Sequence, residues 1–182
     1  LEGENIHILI NNTGGPPGGS ITSADINEFE KAFQMHVVCN QILSQTVMKS
    51  MKEAGYGRIV NVISTSVKVP INGLGVSNTV RGAVASWAKT MANELAHYGI
   101  TINNVLPGFT NTNRLKSLIS KKAEDQKVSE EHIANVMLSL VPASRFGEAE
   151  EVANAIAFLC SPAAAYINGI NLPVDGGRTG TL

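Results

Sequence analysis

Apolar residues in this chain fall into two kinds of run, short continuous stretches and long spaced ones. Ile6-His7-Ile8-Leu9-Ile10 is short, rich in β-branched residues and ends in Asn11-Asn12-Thr13-Gly14, the pattern of a buried strand opening into a loop. Gly14-Gly15-Pro16-Pro17-Gly18-Gly19 suits neither helix nor strand and predicts a loop. Thr22, with Asp25 three residues on, resembles a capping box. From there Phe29, Phe33, Val37, Leu43, Val47 and Met51 recur at helical spacing until Gly55, which predicts a helix over about 25–54. Arg58 to Ile63 predicts a second strand, closed by Ser64-Thr65-Ser66. A second long helix is expected from about Ser77 to Tyr98, ended by Gly99. Ile100 to Leu106 reads as a third strand, stopped by Pro107-Gly108. The charged, loosely patterned residues near 113–132 predict a mobile helical segment, and Arg114 to Lys127 a solvated face. Glu148 to Cys160 is an amphipathic helix with Val152, Ile156 and Leu159 on one side, and Ile170 to Val174 a last strand before Asp175-Gly176-Gly177.

Strand thus alternates with helix, and the strands are apolar on both faces, as in an α/β fold whose parallel sheet is covered by helices on both sides. Ligands of such sheets bind outside the carboxyl ends of the strands. Three unusual clusters fall at that edge: Asn12 to Gly19, Ser64 to Ser66, and Pro107 to Thr112.

Composition narrows the function. The chain has 182 residues, 43% hydrophobic and 16% charged, a globular composition that fits one domain. A net charge of −1 without a basic cluster argues against nucleic acid as the main partner. No apolar run approaches the ~20 residues of a membrane span. Cys39 and Cys160 lie far apart in apolar surroundings, so neither a disulfide framework nor a metal site is signalled. The first residue is Leu1 and no signal peptide follows it, so the cytoplasm is the expected compartment.

Five pieces then fall in one register. They are Asn11-Asn12-Thr13-Gly14; Gly57-Arg58-Ile59-Val60-Asn61-Val62-Ile63-Ser64; Pro107-Gly108-Phe109-Thr110-Asn111-Thr112; Arg145-Phe146-Gly147 with Glu150-Glu151-Val152-Ala153; and Gly169 leading to Val174-Asp175-Gly176-Gly177. In order and spacing the chain resembles the C-terminal two-thirds of a short-chain dehydrogenase/reductase. The resemblance implies a Rossmann-type doubly wound sheet and an NAD- or NADP-dependent oxidoreductase acting on a small carbonyl or alcohol substrate. It places Asn12 and Gly14 beside the adenosine half of the cofactor, and the Ile63 backbone with Pro107, Gly108, Thr110 and Thr112 around the nicotinamide. Gly14 and Gly108 would let the backbone approach the cofactor closely, while Thr110 and Thr112 would offer a main-chain donor and a hydroxyl.

The acid–base set departs from the family's Asn, Ser, Tyr and Lys. Ser64 stands at the serine position as a carbonyl hydrogen-bond donor. Ser77 stands in place of the tyrosine, Arg81 in place of the lysine, and His36 in place of the helix asparagine. A phenol starts near ~10 and is within reach of tuning; an aliphatic hydroxyl is not, so loss of the tyrosine should cost about the 10²–10⁴-fold of a positioned acid. Arg81 can fix negative charge or bind a ribose hydroxyl. His36 reads either as a proton relay titrating near neutral pH or as a buried structural histidine, and Ser77 either as chemistry or as a helix N-cap. The Ser77-Asn78-Thr79-Val80-Arg81 stretch with the Gly14–Gly19 loop resembles a divergent branch whose members are labelled 3-oxoacyl-carrier-protein reductase-like oxidoreductases. A catalytically silent relative is the alternative reading, and a structural interaction subunit without cofactor the third. Apolar residues on the helices at about 25–54 and 77–98 exceed what one sheet face covers, and the resemblance pairs these helices between subunits of a homodimer or homotetramer. By the same resemblance the chain lacks the family's strands one to three, with the glycine-rich phosphate loop and the NAD/NADP selector. The expectation is therefore a fragment of a larger domain, with Ile6 to Ile10 an exposed, aggregation-prone edge.

Overall fold

The computed structural model describes residues 5–181. Four strands, β1 (Ile8–Asn11), β2 (Gly57–Val62), β3 (Ile100–Pro107) and β4 (Asn171–Val174), form one parallel sheet in that order. The helices are α1 (Ile26–Phe33), α2 (Cys39–Ala54), α3 (Gly75–Leu95), α4 (Asn113–Gln126), α5 (Glu130–Leu138) and α6 (Ala149–Cys160). The expected α/β architecture is therefore observed. Alternation along the strands assigns the two faces: Ile59 and Ile102 pack with Val47 and Met51 of α2 and Ala88, Met91 and Leu95 of α3, whereas Val60 and Val105 pack with Val152 and Leu159 of α6. Gly55 and Gly99 end their helices in left-handed backbone, φ 60° and 74°, where glycine carries no Cβ penalty.

Several boundaries differ from expectation for identifiable reasons. β1 begins at Ile8, although the carbonyl of His7 already accepts from the Arg58 N–H at 2.9 Å. Leu1 lies outside the described residues. The expected Thr22–Asp25 capping box does not form, because two shorter caps compete with it. Ser20 caps a 3₁₀ turn over Ile21–Ser23, and Asp25 itself caps α1 by accepting from the Asn27 N–H at 2.8 Å. The helix over 25–54 carries a π-helical turn at Gln34–Val38, in which the Cys39 N–H reaches back to the Gln34 carbonyl. Residues 113–132 are helical as expected, in two helices that bury Leu115, Ile119 and Ala123 against Ile133 and Met137.

A row of amides crosses the sheet. Asn11, Asn61, Asn104 and Asn171 are register partners on successive strands. The Asn11 amide donates to the Asn61 carbonyl oxygen, Asn61 to Asn104 and Asn104 to Asn171, each at 2.8 Å. By alternation they share the α2/α3 face with Ile59 and Ile102. Asn11 Oδ1, the acceptor at the β1 end, is buried without a partner. Among the described residues β1 is the sheet edge, and its Ile8 and Ile10 are 45% and 48% exposed.

Candidate active site

The carboxyl ends of β1, β2 and β3 supply the candidate site. Beyond β1 the chain leaves the sheet through Asn12, Thr13 and the Gly14–Gly19 loop. Asn12 is exposed, and a Cβ on Gly14 would meet nothing within 4 Å, so open space stands above that backbone. Ile63 extends β2 by donating its N–H to the Val105 carbonyl at 2.9 Å and is buried. Ser64 then caps a short 3₁₀ turn, its Oγ accepting from the Ser66 N–H at 3.1 Å. A capping hydroxyl keeps its own proton free to donate, so the turn and the carbonyl-polarising roles are compatible.

α3 begins at Gly75, not at Ser77, with Leu74 in the N-cap position, which corrects the reading of Ser77 as the cap. The start is fixed upstream. Gly75 packs so closely on Ile21 that a Cβ would meet its Cα at 2.6 Å, and the Asn78 side chain ties back to the Ile71 carbonyl at 2.9 Å. Ser77 is thereby buried within the first turn, one turn before Arg81 on the same side of the helix. Arg81 is 7% exposed and reaches into the sheet edge, donating to the Val62 carbonyl at 3.0 Å and the Thr13 carbonyl at 3.1 Å.

His36 lies in the π turn and is 1% exposed. Single π turns inside α-helices are frequent at functional sites. Its Nδ1 and the Thr13 hydroxyl are 2.5 Å apart, and its Nε2 is buried without a partner. Burial, with the Arg81 guanidinium beside it, pulls the imidazole down to about 4. The expectation that His36 titrates near neutral pH is thus corrected: it is neutral there, and any relay through it passes by exchange between its two nitrogens. Burial first, and the Arg114 guanidinium second, lower Arg81 to about 10, so it stays charged at pH 7.

Around β3, Pro107 pairs with Val174 and the Gly108 N–H donates to the Val174 carbonyl at 2.9 Å. The place of a Gly108 side chain is filled by Asp175, whose Cβ and Cα would stand 2.6 and 2.7 Å from it. This glycine therefore serves the packing of β3 on the Asp175-Gly176-Gly177 turn. Gly108→Ala should cost about 2 kcal/mol of stability, as overpacking does; urea denaturation measures it. Thr110 bridges to Gly147, and Thr112 caps α4, its Oγ accepting from the Leu115 N–H at 3.4 Å.

The structure brings together His36, Arg81 and the loop after β1. Ser64 and Ser77 make no hydrogen bond to Arg81 among the described residues. Two participants escape the sequence reading. Thr13 sits inside a motif whose asparagine and glycine draw the attention. Arg114 lies in a charged run, yet its guanidinium meets the Gly15 carbonyl at 3.5 Å and lowers Arg81.

Residues 2–179 match the family model described as enoyl-(acyl carrier protein) reductase. The chain is 34% identical over 174 residues to the 3-oxoacyl-[acyl-carrier-protein] reductase FabG of Vibrio cholerae, covering 94% of this chain and 66% of that protein. It is 28% identical over 172 residues to the NADPH-dependent reductase BacG of Bacillus subtilis, again covering 94% of this chain and 66% of that protein. Among solved structures, YwfH, an NADPH-dependent reductase involved in bacilysin biosynthesis, superposes with a TM-score of 0.92 at 26% identity, over 98% of this chain and 68% of that one. An actinorhodin polyketide ketoreductase variant with NADPH gives 0.90 at 29%, over 97% and 68%. This chain thus spans about two thirds of the length of the curated relatives it matches.

Proposed function

The chain belongs to the short-chain dehydrogenase/reductase family, and from that premise we propose that it works as an NAD(P)-dependent oxidoreductase of small carbonyl or alcohol substrates with an altered acid–base set. The carrying observation is the convergence of Thr13, His36 and Arg81 from three elements at the carboxyl edge of the sheet. Open space over Gly14 after β1, and the Pro107–Thr112 segment at the same carboxyl edge after β3, fit a nicotinamide cofactor, with Asn12, Gly14, Ile63, Arg81, Pro107, Thr110 and Thr112 as the residues that would hold it. The bound cofactor supplies hydride chemistry.

Within that frame each residue has a limited task. Ser64 donates to the substrate oxygen. Arg81, charged and largely dehydrated, stabilises negative charge on that oxygen. Neither the Ser77 hydroxyl nor neutral His36 is an acid of near-neutral pKa, so the proton comes from solvent, with Thr13 and His36 as the hydrogen-bonded route. One observation favours a silent relative: both Arg81 hydrogen bonds go to backbone carbonyls, as a structural cation's would. Titrating the full-length protein into NADPH and NADH, followed by nicotinamide fluorescence, separates the readings when joined to a carbonyl panel. Binding with turnover is expected; binding without turnover means the silent relative, and no binding means a structural subunit.

We also place the protein in the cytoplasm as a homodimer or homotetramer. No helix among the described residues is long and apolar enough to cross a membrane. Phe29, Phe33 and Met35 with Val80 and Ala83 line an open apolar groove between α1 and α3, and Phe33 and Met35 are about half exposed. A dilution-insensitive monomer of the full-length protein in sedimentation would contradict this.

A further inference from the structure

Two guanidinium groups meet at the sheet edge with no acid between them. The Nη2 atoms of Arg81 and Arg114 lie 3.7 and 2.8 Å from the place a Gly15 Cβ would take, so both converge on that one residue of the Gly/Pro loop. Arg81 comes from α3, beneath the ends of β1 and β2; Arg114 comes from the first turn of α4, after β3. Their hydrogen bonds go to the neutral carbonyls of Val62, Thr13 and Gly15. Among the described residues the ion pairs are Lys49–Glu53 and Arg145–Glu151, and neither involves this pair. The remaining titratable neighbour, His36, is neutral.

Like charges brought together and partly dehydrated are costly unless something compensates them. Carbonyl dipoles orient the two groups without cancelling their charge. A guanidinium carries five donors in a planar fork that matches a carboxylate two at a time, and Arg81 and Arg114 leave most of theirs unused. The Arg114 guanidinium takes the place a Gly15 side chain would fill, so the missing side chain is what lets the two groups come together over the loop.

We propose that Arg81 and Arg114 form an anion clamp that selects carbonyl substrates bearing a carboxylate, an oxo acid or its hydroxy-acid product. The clamp deepens the oxidoreductase reading and rests on it for the identity of the reacting carbonyl. Val62, the acceptor of Arg81, precedes Ser64 by two residues, so the clamp and the Ser64 hydroxyl belong to the end of the same strand. The same chemistry would suit a cofactor phosphate, and the test separates the two.

The test is calorimetry on the full-length protein with malonate, its neutral isostere malonamide, and NADPH as separate titrants. The expected result is binding of malonate and not of malonamide. Arg114→Gln should weaken malonate about tenfold, Arg114→Lys should restore part of it, and the NADPH Kd should stay within about twofold. Arg114 is exposed, so folding should survive, and an unchanged melting temperature checks that. Equal binding of malonate and malonamide, or no binding of either, overturns the clamp, as does malonate affinity unmoved by Arg114→Gln. Loss of NADPH affinity with malonate unaffected assigns the charge to the cofactor and overturns the substrate selection. Absence of NADPH binding to the wild type sinks the oxidoreductase reading alone, because the malonate comparison still decides the clamp.

Discussion

Arg81→Met should lower kcat/KM by roughly 10²–10³, the usual loss on removing an oxyanion-stabilising donor, without lowering the free energy of unfolding. The two halves of this expectation come from the same geometry. Dehydration and Arg114 depress the guanidinium from its ordinary range to about 10, which corresponds to about 3 kcal/mol of destabilisation carried by the charged form. The sign follows from proton binding. Above pH 10, until the unfolded guanidinium titrates as well, the unfolded chain holds the proton that the folded one has lost, so stability rises with pH there, and below pH 10 the full penalty is present. Methionine removes that penalty and leaves the Val62 and Thr13 carbonyls without their donor, at about 1 kcal/mol each. The variant should therefore be as stable as wild type or slightly more so. Urea denaturation beside turnover, measured on a carbonyl that the panel shows to be reduced, decides the matter. A variant that unfolds more easily, with activity falling only in proportion to the folded fraction, would show Arg81 to be a structural cation.

The second large effect is on acid stability. His36 is depressed from 6.5 to about 4, so from pH 6.5 down to 4 the unfolded chain takes up a proton that the folded chain refuses. Stability should be flat above about pH 6.5 and fall by about 3 kcal/mol on reaching pH 4. His36→Asn keeps a polar partner for Thr13 but cannot titrate, and should flatten that arm. In Arg81→Met the arm should become shallower, since the charge beside the imidazole is its second cause. Glu151, held to about 2 by Arg145, adds its own loss only as pH falls through its ordinary 4.5, so the wild type and His36→Asn are compared above that value. Identical pH profiles for wild type and His36→Asn between pH 4.5 and 6.5 would exclude His36 as the source.

Much of the fold is legible in the sequence because local rules and tertiary packing agree. Continuous β-branched runs become strands, and Gly55 and Gly99 stop helices in left-handed backbone that other residues adopt reluctantly. The π turn at 34–38 is not legible, because one extra residue in a helix barely disturbs the spacing from Phe29 to Met51. The start of α3 is illegible for another reason: Gly75 looks like a breaker but is demanded by Ile21, 54 positions away in the chain. The site divides the same way. Arg81 and His36 can be read from their place in the family's motif, which is tied to known elements. Arg114 cannot, since a charged helix face and a clamp have the same composition until the loop after β1 closes against it.

The row of amides across the sheet makes its four positions a single mutational unit. Replacing Asn61 alone with leucine would orphan the Asn11 donor and the Asn104 acceptor, each at the cost of an unmet buried group. Replacing all four with apolar residues leaves nothing unmet and removes the lone Asn11 acceptor as well. A single step at Asn61 or Asn104 therefore descends before it can climb, whereas stripping the row in order from Asn11 exchanges one lone acceptor for the next, so the order of replacement decides whether selection can reach an all-apolar version of this sheet.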